Sequence, residues 1–139
     1  MDKYKVVIVD DDDVALENLS FELWKDARFS LEGTARNGRK GKKLIMKVQP
    51  DLLFLDVEMP DMTGLDVADT LLARYGAAQL PPMVALTANL IRDKGEYLAH
   101  GLRDVIGKPL SADNLKRVLN HLFADTEAPA APARPVRPA

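Results

Sequence analysis

Five short apolar runs alternate along this chain with five stretches of helical period. Tyr4 to Val9, Asp51 to Leu55 and Met83 to Thr87 are near-continuous in apolar residues, as suits strands buried on both faces. Phe29 to Ala35 instead alternates Phe29, Leu31, Gly33 and Ala35 with polar neighbours, which predicts an edge strand with one wetter face. Asp104 to Gly107 is a short fifth strand. Asp13 is placed to cap a helix running to about Lys25, with Ala15, Leu19 and Leu23 on its apolar stripe. Gly41, Leu44, Ile45 and Val48 mark a second helix, stopped before Pro50. Leu65, Ala68, Leu72 and Tyr75 place a third over Gly64 to Tyr75, ended near Gly76. Leu90 to His100 is a weaker helix with Gly95 inside it. Ser111 caps the last, whose Leu115, Val118, Leu119, Leu122 and Phe123 form a core face.

Five βα units with short connections predict an α/β fold built on a doubly wound parallel sheet. From Asp125 the chain turns to proline and alanine with nothing to bury. The expected organisation is one domain over residues 1–124 and an extended tail or linker over 125–139. Composition narrows the function classes. A net charge of -2 gives no global field for nucleic acid, and the basic stretch Arg36 to Lys47 reads as a solvated helix face. The absence of cysteine excludes disulfides and thiolate chemistry. No apolar stretch approaches the roughly 20 residues of a membrane span, and the N-terminus lacks signal-peptide anatomy. A cytoplasmic protein is expected, with no membrane and no direct nucleic-acid partner.

The candidate chemistry lies where the strands end. Asp10 to Asp13 follow the first strand, Asp56 ends the third, Thr87 the fourth, and Lys108 follows the fifth. In open α/β sheets the working groups sit at the carboxyl ends of strands. Clustered carboxylates repel unless a cation or a proton neutralises them. Oxygen-only ligation suits Mg²⁺, which takes one or two carboxylates together with phosphate oxygens and waters. A carboxylate can act as nucleophile and carry a phosphoryl group. Mg²⁺, the Lys108 ammonium and the Thr87 hydroxyl would then each take one phosphoryl oxygen.

These residues resemble the receiver domain of two-component response regulators over about residues 4 to 124. The resemblance rests on Val9-Asp10-Asp11, Leu55-Asp56-Val57-Glu58-Met59-Pro60-Asp61-Met62-Thr63-Gly64, Leu86-Thr87-Ala88-Asn89 and Lys108-Pro109, in that order. It implies a flavodoxin-like (βα)5 fold with strand order 2-1-3-4-5. It further implies that Asp56 is phosphorylated from a histidine kinase or a histidine phosphotransfer domain. Asp10, Asp11, Asp56 and the Glu58 backbone carbonyl would hold Mg²⁺, with Asp11 the more direct of the acid pair. Thr87 would move toward the phosphoryl group and Lys108 would pair with it, next to a cis Lys108–Pro109 bond. Output would pass to a protein partner, through relay or a phosphorylation-dependent homodimer. Asp12 and Asp13 are left to helix capping and the helix dipole. Val105 stands where the family often has an aromatic switch residue; a valine has no comparable ring states, so an output change would use backbone and loop shifts around Thr87 to Leu90. Asp113 and Asn114 replace the arginine-glutamate pair usual in winged-helix regulators. The second half resembles receivers of hybrid sensor kinases of the anoxic redox control type. The first half, Tyr4 to Asp12 and Phe29 to Gly41, is more similar to regulators of the LytTR class, a contrast that a recombinant or engineered chimera would explain.

Another reading takes Asp10-x-Asp12-x-Val14 as the motif of a haloacid dehalogenase-like phosphatase, with Asp10 as nucleophile and Asp12 as general acid. It leaves Asp56 without a role and lacks a further acidic strand end after Lys108.

Overall fold

A computed structural model describes residues 3–88 and 94–123. The elements run β1 (Tyr4–Val9), α1 (Asp13–Trp24), β2 (Phe29–Ala35), α2 (Gly38–Val48), β3 (Leu52–Asp56), α3 (Gly64–Tyr75), β4 (Met83–Thr87), α4 (Lys94–Ala99), β5 (Asp104–Gly107) and α5 (Ala112–Leu122). A 3-10 turn, Ala77–Gln79, leads into β4. The five strands form one parallel sheet in the order β2-β1-β3-β4-β5, the flavodoxin-like order. Asn89, the start of the fourth helix at Leu90, and the tail at 125–139 lie outside the described residues.

The continuous apolar runs of β1, β3 and β4 have the cause expected of them: both sheet faces are covered. Leu16, Leu19 and Leu23 of α1 and Leu115, Val118 and Leu119 of α5 pack on one face with Val6, Ile8 and Phe54. On the other face, Ile45 of α2, Leu65, Val67, Ala68 and Leu71 of α3 and Tyr97 of α4 pack with Val7, Val9 and Leu53. Leu16 takes the buried position that periodicity assigned to Ala15, which is only half-buried.

The edge strand departs from strict alternation. Val6 pairs with Leu31 while Val7 pairs with Gly33, so Glu32 is an extra residue, a β-bulge. Because side chains alternate with period two, one extra residue reverses the faces beyond it. Phe29 and Leu31 therefore pack on the α1/α5 side, whereas Ala35 faces α2 and α3. Gly33 also lies on the α2 side, its α-carbon close under Leu44.

Helix ends follow local chemistry. Asp12, not Asp13, is the N-cap of α1; its carboxylate accepts from the Val14 N–H at 3.0 Å. Asp13 occupies the first turn, where a negative charge complements the dipole, and pairs with Arg36. Thr63 and Asp66 form a reciprocal capping box at the start of α3. Ser111 caps α5 through the Asn114 N–H at 3.1 Å.

Candidate functional site

The parallel sheet brings the ends of β1, β3, β4 and β5 to one edge. Asp10 follows β1 and is wholly buried; Asp56 and Thr87, the last residues of β3 and β4, are buried as well. Asp11 is exposed beside them. Asp10, Asp11 and Asp56 each offer a carboxylate oxygen within 4.8 Å of the others. Lys108, just past β5, is hydrogen-bonded to Asp10 Oδ1 at 3.0 Å, and its Nζ lies 3.4 Å from Asp56 Oδ1. The Lys108 N–H donates to the Thr87 carbonyl at 2.8 Å, which ties the lysine to the end of β4. The Lys108–Pro109 peptide is cis. Asp10, Asp11, Asp56, Thr87 and Lys108 are thus brought to one edge of the sheet, while Asp12 and Asp13 are taken up by the start of α1.

The electrostatics of this pocket are unbalanced. Burial, then hydrogen bonding and repulsion from Asp11 and Asp10, push the Asp56 carboxyl up to about 8, with Lys108 pulling the other way. Burial works against the Lys108 charge, but the bond to Asp10 and the field of both acids outweigh it and hold the ammonium above its ordinary range. Asp10 Oδ2 is buried and receives no directed hydrogen bond, although Lys108 Nζ lies 2.8 Å away. An oxygen-only donor set with an unsatisfied buried acceptor suits a hard divalent cation such as Mg²⁺.

The contacts made by Glu58 and Asp61 were not legible in the sequence. The Thr87 hydroxyl donates to Glu58 Oε1 at 3.2 Å, while the Glu58 N–H donates to Asp56 Oδ1 at 3.3 Å. Glu58 therefore touches the site through its side chain, beyond the backbone carbonyl that the resemblance implied. Asp61 accepts from the Gly38 and Arg39 N–H groups at 2.9 and 3.0 Å and so links the loop after β3 to the start of α2. Those two donors hold its carboxyl below the usual range. The exposed N–H groups after the Asn37-Gly38 turn were a signal that an acceptor was needed, but not which one.

Gly64 sets the distance between loop and strand. Its N–H donates to the Val57 carbonyl at 2.9 Å, and a Cβ there would lie 2.4 Å from the Asp56 carbonyl oxygen. Only glycine permits that approach. Asp12, by contrast, spends its carboxylate on the α1 cap, and Asp10 is enclosed by Lys108. The phosphatase reading of Asp10 and Asp12 gains no support from this arrangement.

The sheet order and the acidic edge place the chain among doubly wound α/β domains with a site at the carboxyl ends of the strands. A family model, the response regulator receiver domain, matches residues 6–120. The chain belongs to that family: it is a receiver domain of a two-component system. It is 40% identical over 131 residues to the aerobic respiration control sensor protein ArcB of Escherichia coli K12, covering 85% of this chain and 17% of that protein. It is 33% identical over 129 residues to a protein-glutamate methylesterase/protein-glutamine glutaminase of Syntrophotalea carbinolica, covering 88% of this chain and 35% of the relative. The chain thus spans well under half the length of either. The chemotaxis protein CheY4 of Vibrio cholerae superposes with a TM-score of 0.75 at 27% identity, covering 86% of this chain and 98% of that one.

Proposed function

We propose that Asp56 is the phosphoacceptor of this receiver and takes its phosphoryl group from a phosphohistidine, on a histidine kinase or a histidine phosphotransfer domain. The observation that carries this reading is the Lys108 ammonium, set between Asp10 and Asp56 beside a three-carboxylate cluster. Asp10, Asp11, Asp56 and the Glu58 carbonyl would hold Mg²⁺, which when bound neutralises charge on the phosphoryl oxygens. The chain's own groups do the rest. Lys108 orients the acceptor carboxylate and takes a phosphoryl oxygen by a charge-assisted bond. Thr87 would leave Glu58 to donate its hydroxyl to the phosphoryl group.

Arrival of roughly -1.5 to -2 charge would bias an existing equilibrium around Thr87 and α4. In α4, Tyr97 is buried and Leu98 exposed. Val105 is half-buried in β5 and has no aromatic ring to turn inward, so the change would travel by backbone and loop shifts. Output is then protein–protein contact, phosphoryl relay or a phosphorylation-dependent homodimer. We assign the receiver to residues 1–124 and a linker to 125–139. No helix among the described residues is long and apolar enough to cross a membrane, and with the lack of cysteine this supports a cytoplasmic assignment. A separate LytTR-class origin for the first half, or a chimera, rests on residue patterns alone, since the ArcB match covers 85% of the chain.

Intact mass after incubation with Mg²⁺ and acetyl phosphate tests the assignment. One added phosphoryl group is expected on the native chain, at reduced yield on Asp10→Asn, and none on Asp56→Asn or with a chelator. Phosphatase turnover that survives Asp56→Asn and is lost in Asp10→Asn would overturn it.

A further inference from the structure

Four large hydrophobic side chains are prominent on the surface of the described residues, and three of them lie on α1: Val14, Phe21 and Trp24, at 63%, 56% and 79% exposure. They share one face of the helix with Glu17, since positions 14, 17, 21 and 24 recur at helical spacing. The opposite face supplies Leu16, Leu19 and Leu23 to the core, and the outer stripe is left uncovered by the rest of the described fold. The Phe21 and Trp24 rings stack at 6.4 Å and 24°, with the Lys25 ammonium 4.7 Å from the Phe21 centroid. Such a rigid aromatic pair gives a large contact area at low entropic cost.

A segment of the same chain has the complementary pattern. Pro129, Pro132, Pro135 and Pro138 recur at every third position, and Arg134 and Arg137 keep the same spacing one residue earlier. Polyproline II has about three residues per turn, so the four prolines would line one edge and the arginines the next. Pro-rich strands of this kind dock on aromatic surfaces. The segment also leaves the fold at the right place. The Phe123 carbonyl accepts from Arg28 Nη1 at 3.4 Å, just beyond the end of α1 that carries Trp24.

We propose that the exposed aromatic face of α1 is the docking surface for the chain's own segment 129–138, laid along the helix as a polyproline II strand. The dimensions agree. Residues 124–128 reach up to about 17 Å. Pro129 to Arg134 then spans about 16 Å at ~3.1 Å per residue, and Trp24 to Val14 spans about 15 Å of helix. With the strand running from Trp24 toward the start of α1, Pro129 and Pro132 cover the aromatic pair. Arg134 then comes over the first turn of the helix, within side-chain reach of Glu17, and Arg137 lies about 9 Å further on. Proline rings meet aromatic rings, and Arg134 meets a carboxylate. The tether supplies an effective concentration on the order of millimolar, so weak contacts suffice.

Trp24 is the sole tryptophan of the chain and reports on its own cover. The test is acrylamide quenching and the emission maximum of the full chain, of full-length Pro132→Gly/Pro135→Gly, and of full-length Arg134→Glu/Arg137→Glu. The native chain should show a blue-shifted maximum and roughly half the quenching of the glycine variant, as docking on an aromatic surface requires. Arg134→Glu/Arg137→Glu should move toward the glycine variant, and Glu17→Lys added to it should restore protection. Equal quenching in the native and glycine chains would overturn the proposal. Protection that disappears on dilution to micromolar protein would overturn it too, by assigning the surface to the segment of a second copy.

Discussion

The two ends of one sheet are built on opposite principles. At the amino edge, Tyr4, Phe29 and Phe123 form a closed aromatic cluster with centroid separations of 4.5, 5.2 and 5.8 Å. Arg28 beside it donates to Asp26 at 2.8 and 3.1 Å, to Asn120 and to the Phe123 carbonyl. At the carboxyl edge, three carboxylates crowd within 4.8 Å and one ammonium serves two of them. The first end satisfies its groups and holds the fold. The second leaves negative charge uncompensated, which in the proposed function a divalent cation would offset.

The largest effect should come from Asp56→Asn, which removes the proposed acceptor: phosphoryl uptake from acetyl phosphate falls to zero by mass while urea unfolding stays cooperative. Phe29→Ala strikes the other end. It should cost about 3–5 kcal/mol in urea unfolding, yet leave phosphoryl uptake per folded molecule unchanged. Loss of uptake beyond the loss of folded protein would show that the two ends are not separable. Lys108→Met strips the cation from buried Asp10 and should cost about 3 kcal/mol, which unfolding in a chelator would read. A neutral result would mean that Asp10 takes up a proton at little cost.

Titration sharpens the contrast further. Asp56 holds its proton up to about 8 in the folded chain, against 3.8 for an ordinary aspartate. The unfolded chain releases that proton first, so in a chelator stability should fall as pH rises through this window. Asp56→Asn should remove that fall. Asp26 has the opposite sign. Its bonds to Arg28 hold it below 3.8, so its contribution is present above that pH and disappears as pH drops through the lower folded value. Asp26→Asn should remove about 1 kcal/mol or less at neutral pH, the smallest of these effects, with little change in strong acid.

The carboxyl end was far more legible in the sequence than the amino end. A strand read from an apolar run points its last polar residue at the common edge, which is why Asp10, Asp56, Thr87 and Lys108 could be grouped without coordinates. The bounds of β2, β4, β5 and α3 followed from runs and breakers for the same reason. What stayed hidden depends on contacts between distant segments. Glu32 carries no mark of a bulge, because its extra position exists only relative to β1. Asp12 and Asp13 are equivalent as caps until the backbone turns at one of them. Asp61 reaches α2 across 23 residues of sequence. Tyr4, Phe29 and Phe123 converge only once the sheet and α5 are assembled.

Gly64 offers a different kind of experiment on the same site. Its α-carbon hydrogen stands where a methyl group would meet the Asp56 carbonyl oxygen at 2.4 Å. The joint between loop and strand is therefore machined to a tolerance of less than one carbon atom. Gly64→Ala retains every carboxylate, the hydroxyl and the ammonium, and alters only how they are aligned. That one position separates possessing the parts of the proposed phosphoacceptor from having them in register.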